Sequence, residues 1–284
     1  MAHWSLDDIA WHEFDASKVT SDLVSLIKAA AIVEHNGYDY ARYLREVFAD
    51  DPDFQQATYL WAEEEVQHGK ALRKWAELVD PQFDFDKSFS LFTAGYKLPV
   101  NVTSSVRGSY SGELIARCVV ESATSAYYTA LKENTDEPVL KSICARIAVD
   151  EFRHYKLFYT YLQTYLKKEK LGTMKRLRIA LQRIIESEDD ELVYAYFSAH
   201  NDTGTQIYNH DLNRKHYLAR AYAIYRKDHI QKMVSMTLKA IGMAPHGLLS
   251  RTLDTIAWNM MRLRIWLLSS YKQQVMTDNI PAYS

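Results

Sequence analysis

The stretch EEEVQHG, residues 63–69, sets three acids and a histidine inside an amphipathic segment. Glu65 and His68 are three residues apart, so on a helix a carboxylate and an imidazole share one face and can bind one ion. DEFRH, residues 150–154, repeats that spacing with Glu151 and His154. A single Glu-x-x-His is common on helix surfaces, so the discriminating test is whether each pair has a further acid at matching depth on the preceding helix. Glu34 lies 31 residues before Glu65 (65 − 34), and Glu121 lies 30 before Glu151 (151 − 121). The offset between the two halves is 87 residues at one position and 86 at the other, a near-exact internal repeat of ligand positions. Glu34 in AAAIVEHNG and Glu121 in ARCVVESATSAYY are embedded in small and apolar residues, on stretches that should face a core. An unpaired buried carboxylate costs several kcal/mol, so both acids should be paired or bound to metal.

Two lone glutamates plus two Glu-x-x-His pairs form the ligand set of di-iron and di-manganese carboxylate bundles. Four carboxylates offset the four positive charges of two divalent ions, and carboxylate-rich coordination with imidazole suits iron, or manganese, better than zinc. Glu64 and Asp150 immediately precede the two ligand glutamates. Metal-bound histidines usually donate their second ring N–H to an acceptor, so these acids are expected to orient the histidines, each across the bundle. Glu63 is expected to be a solvated surface acid. His35 adjoins Glu34 but points about 100° away from it on a helix, outside the ligand set. Tyr38, one turn beyond Glu34, and Tyr128, two turns beyond Glu121, read mainly as residues at the edge of the core, with redox chemistry the lesser alternative.

The elements that must carry these residues are helices. Nine glycines and six prolines in 284 residues, with long 3.6-residue periodicity and few alternating runs, predict an all-α protein. The punctuation predicts a first helix from about Ser21 to Phe48 and a second from Pro52 to Asp80. A third runs from Gly112 to Lys132, and a fourth opens at TDEP with Thr135 as its cap and ends near Lys170. Short turns join the first to the second and the third to the fourth, while residues 81–111 separate the second from the third. Two hairpins joined by a long crossover define a ferritin-like four-helix bundle. Phe83, Phe85, Phe89, Phe92 and Tyr96 are expected to pack the crossover along the outside of the bundle. Further helices are expected over 173–187, 189–199, 211–241 and 247–272, with Gly242 stopping the third of these. No linker or change of composition separates them, so residues 1–284 are expected to form a single domain, with a core bundle at about 20–170 extended by helices over 173–272. Of the five histidines in this region (His200, His210, His216, His229 and His246), none has an acid three residues before it.

Lys and Arg number 34 and Asp and Glu 36, so the near-neutral chain has no basic footprint for nucleic acid. Cys118 and Cys144 are the only cysteines, which excludes a cysteine zinc site or an iron–sulfur cluster within the chain and fits a reducing cytoplasm. No run of 18 uncharged apolar residues is present to span a membrane, and MAHWSLDDIAWHEFD carries no apolar core of a signal peptide.

The motif W-x-x-E-E-x-x-H-G, here Trp61, Glu64, Glu65, His68 and Gly69, resembles a metal-binding motif of soluble acyl-carrier-protein desaturases. D-E-x-R-H, here Asp150, Glu151, Arg153 and His154, resembles their second motif. The resemblance covers about residues 20–165 and places the chain in the wider ferritin-like di-iron group. It implies lone helix ligands at Glu34 and Glu121 and an oxygen-handling hydroxyl one turn after the latter, which Thr124 or Ser125 can supply. It further implies a dioxygen-dependent oxidoreductase with two iron ions, acting on an organic substrate, with fatty acyl desaturation leading and monooxygenation in the same class. The acyl chain would be carried on an acyl-carrier protein. Electrons would come from a ferredoxin and its reductase, and the chain would be a homodimer. The alternative within the same group is a ferroxidase or peroxide scavenger of bacterioferritin or rubrerythrin type. Those proteins need only about the first 170 residues, and more than 100 further residues here would then lack a purpose.

Overall fold

The computed structural model describes residues 4–98, 102–186, 191–201 and 204–278. These form helices joined by turns, with no strand among the described residues. Four positions of the bundle are filled by α1 (Ser21–His35) with α2 (Gly37–Val47), α3 (Pro52–Val79), α5 (Tyr110–Glu133) and α6 (Pro138–Glu169). The first hairpin packs α1 and α2 on α3, the second packs α5 on α6, and α3 meets α6 between them.

Local chemistry sets the helix starts. Asp51 caps α3 by accepting from the Phe54 amide at 2.9 Å, with Pro52 in the first turn, where a missing N–H costs nothing. Ser109 accepts from Gly112 to cap α5. The cap of α6 is Glu137 rather than Thr135: its carboxylate accepts from the Val139 and Leu140 amides, and the Thr135 hydroxyl instead accepts from the Glu137 amide.

The first bundle helix is not continuous. It breaks at Asn36, where bonds of the i→i+3 type replace the regular ladder, Asn36 to Val33 and Asp39 to Asn36. The junction is pressed against α3. A Cβ on Gly37 would stand 2.7 Å from the Glu65 Cβ, and one on Gly69 would stand 2.6 Å from the His35 backbone nitrogen. Glycine at both positions allows the two segments to approach this closely.

The crossover contains a helix of its own, α4 (Phe85–Gly95), capped by Asp84. Phe83, Phe85 and Phe92 are buried, while Phe89 and Tyr96 pack against the core from its edge. It is not the outermost layer, because α8 (Glu191–His200) lies over both α4 and α1. Beyond α6, α7 (Thr173–Glu186) and α10 (Lys227–Ala240) pack on α5, and α9 (His210–Ala223) packs on α8 and α1. The span 211–241 is two helices, because the Arg226 amide donates to His229 Nδ1 and starts α10 afresh. Gly242, at φ +81°, ends α10 as its position foretold. The last helix, α11 (Leu248–Asp278), rests on α9 and α10. Residues 187, 189 and 190, expected in helices, lie outside the described residues.

The core divides into two apolar clusters. One is built around Leu26, Trp75, Leu131 and Ile143, the other around Leu44, Phe54, Leu114 and Phe158. On each bundle helix the acidic positions fall between them: Glu34 after Ile32, Glu65 between Ala62 and Ala71, Glu121 between Val119 and Tyr128, Glu151 between Ala148 and Tyr155. A polar layer is thus sandwiched between two hydrocarbon layers.

Candidate metal centre

That layer holds all six residues singled out by their spacing. Glu34, Glu65, His68, Glu121, Glu151 and His154 are each buried. They form two groups: Glu34, Glu65, His68 and Glu151 offer ligand atoms within 4.8 Å of one another, and so do Glu65, Glu121, Glu151 and His154. Glu65 and Glu151 belong to both groups and lie between the two histidines.

Both imidazoles turn Nδ1 inward. His68 Nδ1 lies 3.5 Å from Glu34 Oε2 and 3.3 Å from Glu151 Oε1. His154 Nδ1 lies 3.0 Å from Glu65 Oε1 and 3.7 Å from Glu121 Oε2. The opposite nitrogens face outward onto acids of the other hairpin. His68 Nε2 is 3.1 Å from Asp150 Oδ2, and His154 Nε2 is 2.8 Å from Glu64 Oε2. Arg153 joins the two acids, 2.8 Å from Glu64 Oε2 and 2.8 Å from Asp150 Oδ1. Trp4 donates its indole N–H to Asp150 Oδ2 at 2.6 Å and stacks parallel to the His68 ring.

The electrostatics describe a cluster that calls for cations. Burial, then the charges of Glu151 and Glu34, push the Glu65 carboxyl well above its usual range. Burial and the Glu34 charge raise Glu151 to about 7. Burial opposes charge on His68 and His154, yet the carboxylates around them hold both well above an ordinary histidine. Burial also opposes ionisation of Asp150, but the hydrogen bond and charge of His68 prevail and hold it down at about 2. In the protein alone, protons would be drawn in to offset the clustered acids. Glu34 Oε2, Glu65 Oε1, Glu151 Oε1 and both Nδ1 atoms are buried without a hydrogen-bond partner, and all belong to the inward set. Oxygen-rich donors with two imidazoles, left unsatisfied around one interior point, fit a pair of divalent transition-metal ions.

The hydroxyls diverge. Thr124 donates to Glu151 Oε2 at 2.5 Å and also reaches the Val120 and Glu121 carbonyls. Ser125 turns away, donating to the Ala148 carbonyl at 3.1 Å, so its oxygen is engaged by the α6 backbone. Tyr128 donates to Glu34 Oε1 at 2.5 Å, whereas Tyr38 is exposed and donates to Glu63. His35 lies edge-on to Phe85 and Phe89, outside the cluster. Sequence reasoning gave Trp4 and Arg153 no role and missed the Tyr128–Glu34 contact. Tyr128 shares a face with Glu121, and Asp150 with Arg153 is an i, i+3 pair, so those two carried a signal. Trp4 precedes any periodic segment and carried none.

No curated protein matches the chain. Residues 7–192 match the model of a family described as fatty acid desaturase, a span that holds all six buried acids and histidines. The chain therefore belongs to the fatty acid desaturase family and, through it, among the oxidoreductases.

Proposed function

We propose that this chain is a di-iron, dioxygen-dependent desaturase that introduces a double bond into a fatty acyl chain. Glu34, Glu65, His68 and Glu151 would hold one iron and Glu65, Glu121, Glu151 and His154 the other, with manganese the competing metal. The observation that carries this reading is the pair of buried ligand groups sharing Glu65 and Glu151, their inward atoms otherwise without partners. The chemistry supplied by the bound ions is reductive activation of dioxygen to an oxidant able to take hydrogen from an unactivated methylene.

The protein's part is positioning and exclusion. Asp150 and Glu64 accept from the two Nε2 atoms, which fixes the tautomer that leaves each Nδ1 lone pair facing inward. Tyr128 holds one oxygen of Glu34 and leaves Oε2 to the centre. Thr124 holds one oxygen of Glu151 in the same way, and its hydroxyl would be the oxygen-handling group that the family resemblance implies. The two apolar clusters keep bulk water from the polar layer. The net reaction converts –CH2–CH2– and O2, with two electrons and two protons, into –CH=CH– and two waters. The electrons would come from a separate donor such as a ferredoxin; Cys118 and Cys144 are both buried and single. The acyl chain would arrive on an acyl-carrier protein. Residues 1–284 would act as one unit, with α8 and α10 covering the bundle that holds the site.

The test is anaerobic titration with ferrous iron followed by oxygen, together with acyl profiles of cells with and without the protein. Two irons per chain and loss of one monounsaturated acyl species on deletion are expected. An unchanged acyl profile, with turnover of many free ferrous ions per chain, would replace this reading with iron storage or peroxide scavenging.

A further inference from the structure

The last helix is apolar on two sides. Met261, Ile265 and Leu268 face inward and pack against the core. On the opposite side Ile256, Met260, Leu263, Trp266 and Leu267 are between 49% and 63% exposed. At 100° per residue, Ile256, Met260, Leu263 and Leu267 lie within about 60° of one another, with Trp266 beside them. They form one stripe about 16 Å long. A helix apolar all round is normally buried on both sides, so this stripe calls for an occupant.

Charge identifies that occupant. Over residues 250–268 of α11, the exposed ionised side chains are Arg251, Arg262 and Arg264, whereas the acid Asp254 is buried. Arg262 and Arg264 fall on opposite edges of the apolar stripe, and Arg251 lies on the Arg262 side. A second copy of the same face would bring like charges together. An anionic lipid surface meets both demands: hydrocarbon takes the stripe, indole suits the interface, and phosphates meet the arginines. No helix among the described residues is long and apolar enough to cross a membrane, so the mode of contact is lying flat. We propose that α11 docks the protein peripherally on anionic phospholipid, inserting Ile256, Met260, Leu263, Trp266 and Leu267 between headgroups that Arg251, Arg262 and Arg264 engage. This surface is separate from the metal centre and does not depend on the reaction proposed for it.

The test is co-sedimentation of the full chain with vesicles of phosphatidylcholine alone and of phosphatidylcholine mixed with phosphatidylglycerol. Partitioning onto the anionic vesicles about tenfold or more above the neutral ones is expected, falling as salt is raised. Leu263→Ser/Leu267→Ser should lower it by roughly tenfold or more through lost apolar burial. Arg251→Glu/Arg262→Glu should abolish the anionic preference while leaving the Arg264–Tyr222 hydrogen bond in place. These side chains are exposed, so both variants should keep the parent melting temperature, and the arginine variant tests the proposal even if the leucine variant does not fold. Equal partitioning onto both vesicle types, or no partitioning, would overturn the proposal. So would light scattering that shows a dimer converted to monomer by the leucine substitutions with vesicle binding unchanged.

Discussion

Gly69→Ala tests whether the metal centre depends on how closely α1 approaches α3. The added Cβ would stand 2.6 Å from the His35 nitrogen, 2.8 Å from its Cα and 2.9 Å from its Cβ. Carbon atoms in contact need about 3.5–4.0 Å, so α1 must retreat by roughly 1 Å. Alanine brings about 1 kcal/mol of helix propensity to a mid-helix position. Overpacking against side chains costs about 1–3 kcal/mol, and here backbone must yield, which puts the cost at or above the upper end. The net expectation is a loss of about 2 kcal/mol or more, or a drop of at least roughly 4–8 °C in melting temperature for a chain of this size. The retreat would also carry Glu34, the neighbour of His35, away from His68, so iron binding should weaken with stability. Gly172→Ala is the control: nothing lies within 4 Å of its added Cβ, and its melting temperature should stay within a degree or two of the parent. The assay is thermal unfolding followed by circular dichroism, with and without ferrous iron. A Gly69→Ala protein as stable as the parent and binding iron equally would refute the close-crossing argument.

Asp150→Asn keeps the shape around His68 but removes the charge that fixes its tautomer, and should lower metal affinity about 10–100-fold in anaerobic calorimetric titration; unchanged affinity would remove Asp150 from its orienting role. Tyr128→Phe leaves Glu34 Oε1 buried without its donor, which should cost about 1–3 kcal/mol of stability and roughly tenfold in iron affinity by chelator competition; a protein with parental values would show that the hydroxyl is idle. Glu191 Oε1 is buried without a partner, and burial followed by the Glu34 charge pushes its carboxyl up to about 8. The folded state therefore holds this proton more tightly than the unfolded chain, so the stability this group contributes is full below about pH 4.5 and is lost as pH rises through about 8. Glu191→Gln should flatten that decline in denaturant midpoints measured from pH 5 to 9, and an identical pH dependence in parent and variant would sink the assignment.

The sequence was most legible where two levels of pattern coincided. Glu65 with His68 and Glu151 with His154 stood out because helical spacing, the 86-residue repeat and apolar surroundings agreed, and the fold follows from the same punctuation. The break at Asn36 was not legible, because it lies where Gly37 closes on Glu65 and Gly69 closes on His35, long-range contacts with no local signature. The helix α4 had a signal, Asp84 as cap and Phe85, Phe89 and Phe92 on one face, but its aromatic content reads equally as a packed loop. Thr135 looked like a cap because threonine caps often. Glu137 took the role because its longer side chain satisfies two amides of α6 and also accepts from the Trp75 indole.

The internal repeat suggests two half-sites, but the contacts around them cross. Asp150 on α6 serves His68 on α3, Glu64 on α3 serves His154 on α6, and Arg153 binds both acids. Glu65 and Glu151, one from each hairpin, stand between the two histidines. Neither hairpin alone can therefore orient its own histidine or complete its own ligand group. The clustered acids draw in protons in the protein alone, and metal ions in their place would tie docking of the two hairpins to metal loading. The hydrocarbon layers above and below confine these contacts to one plane, where charge interactions are least screened by water.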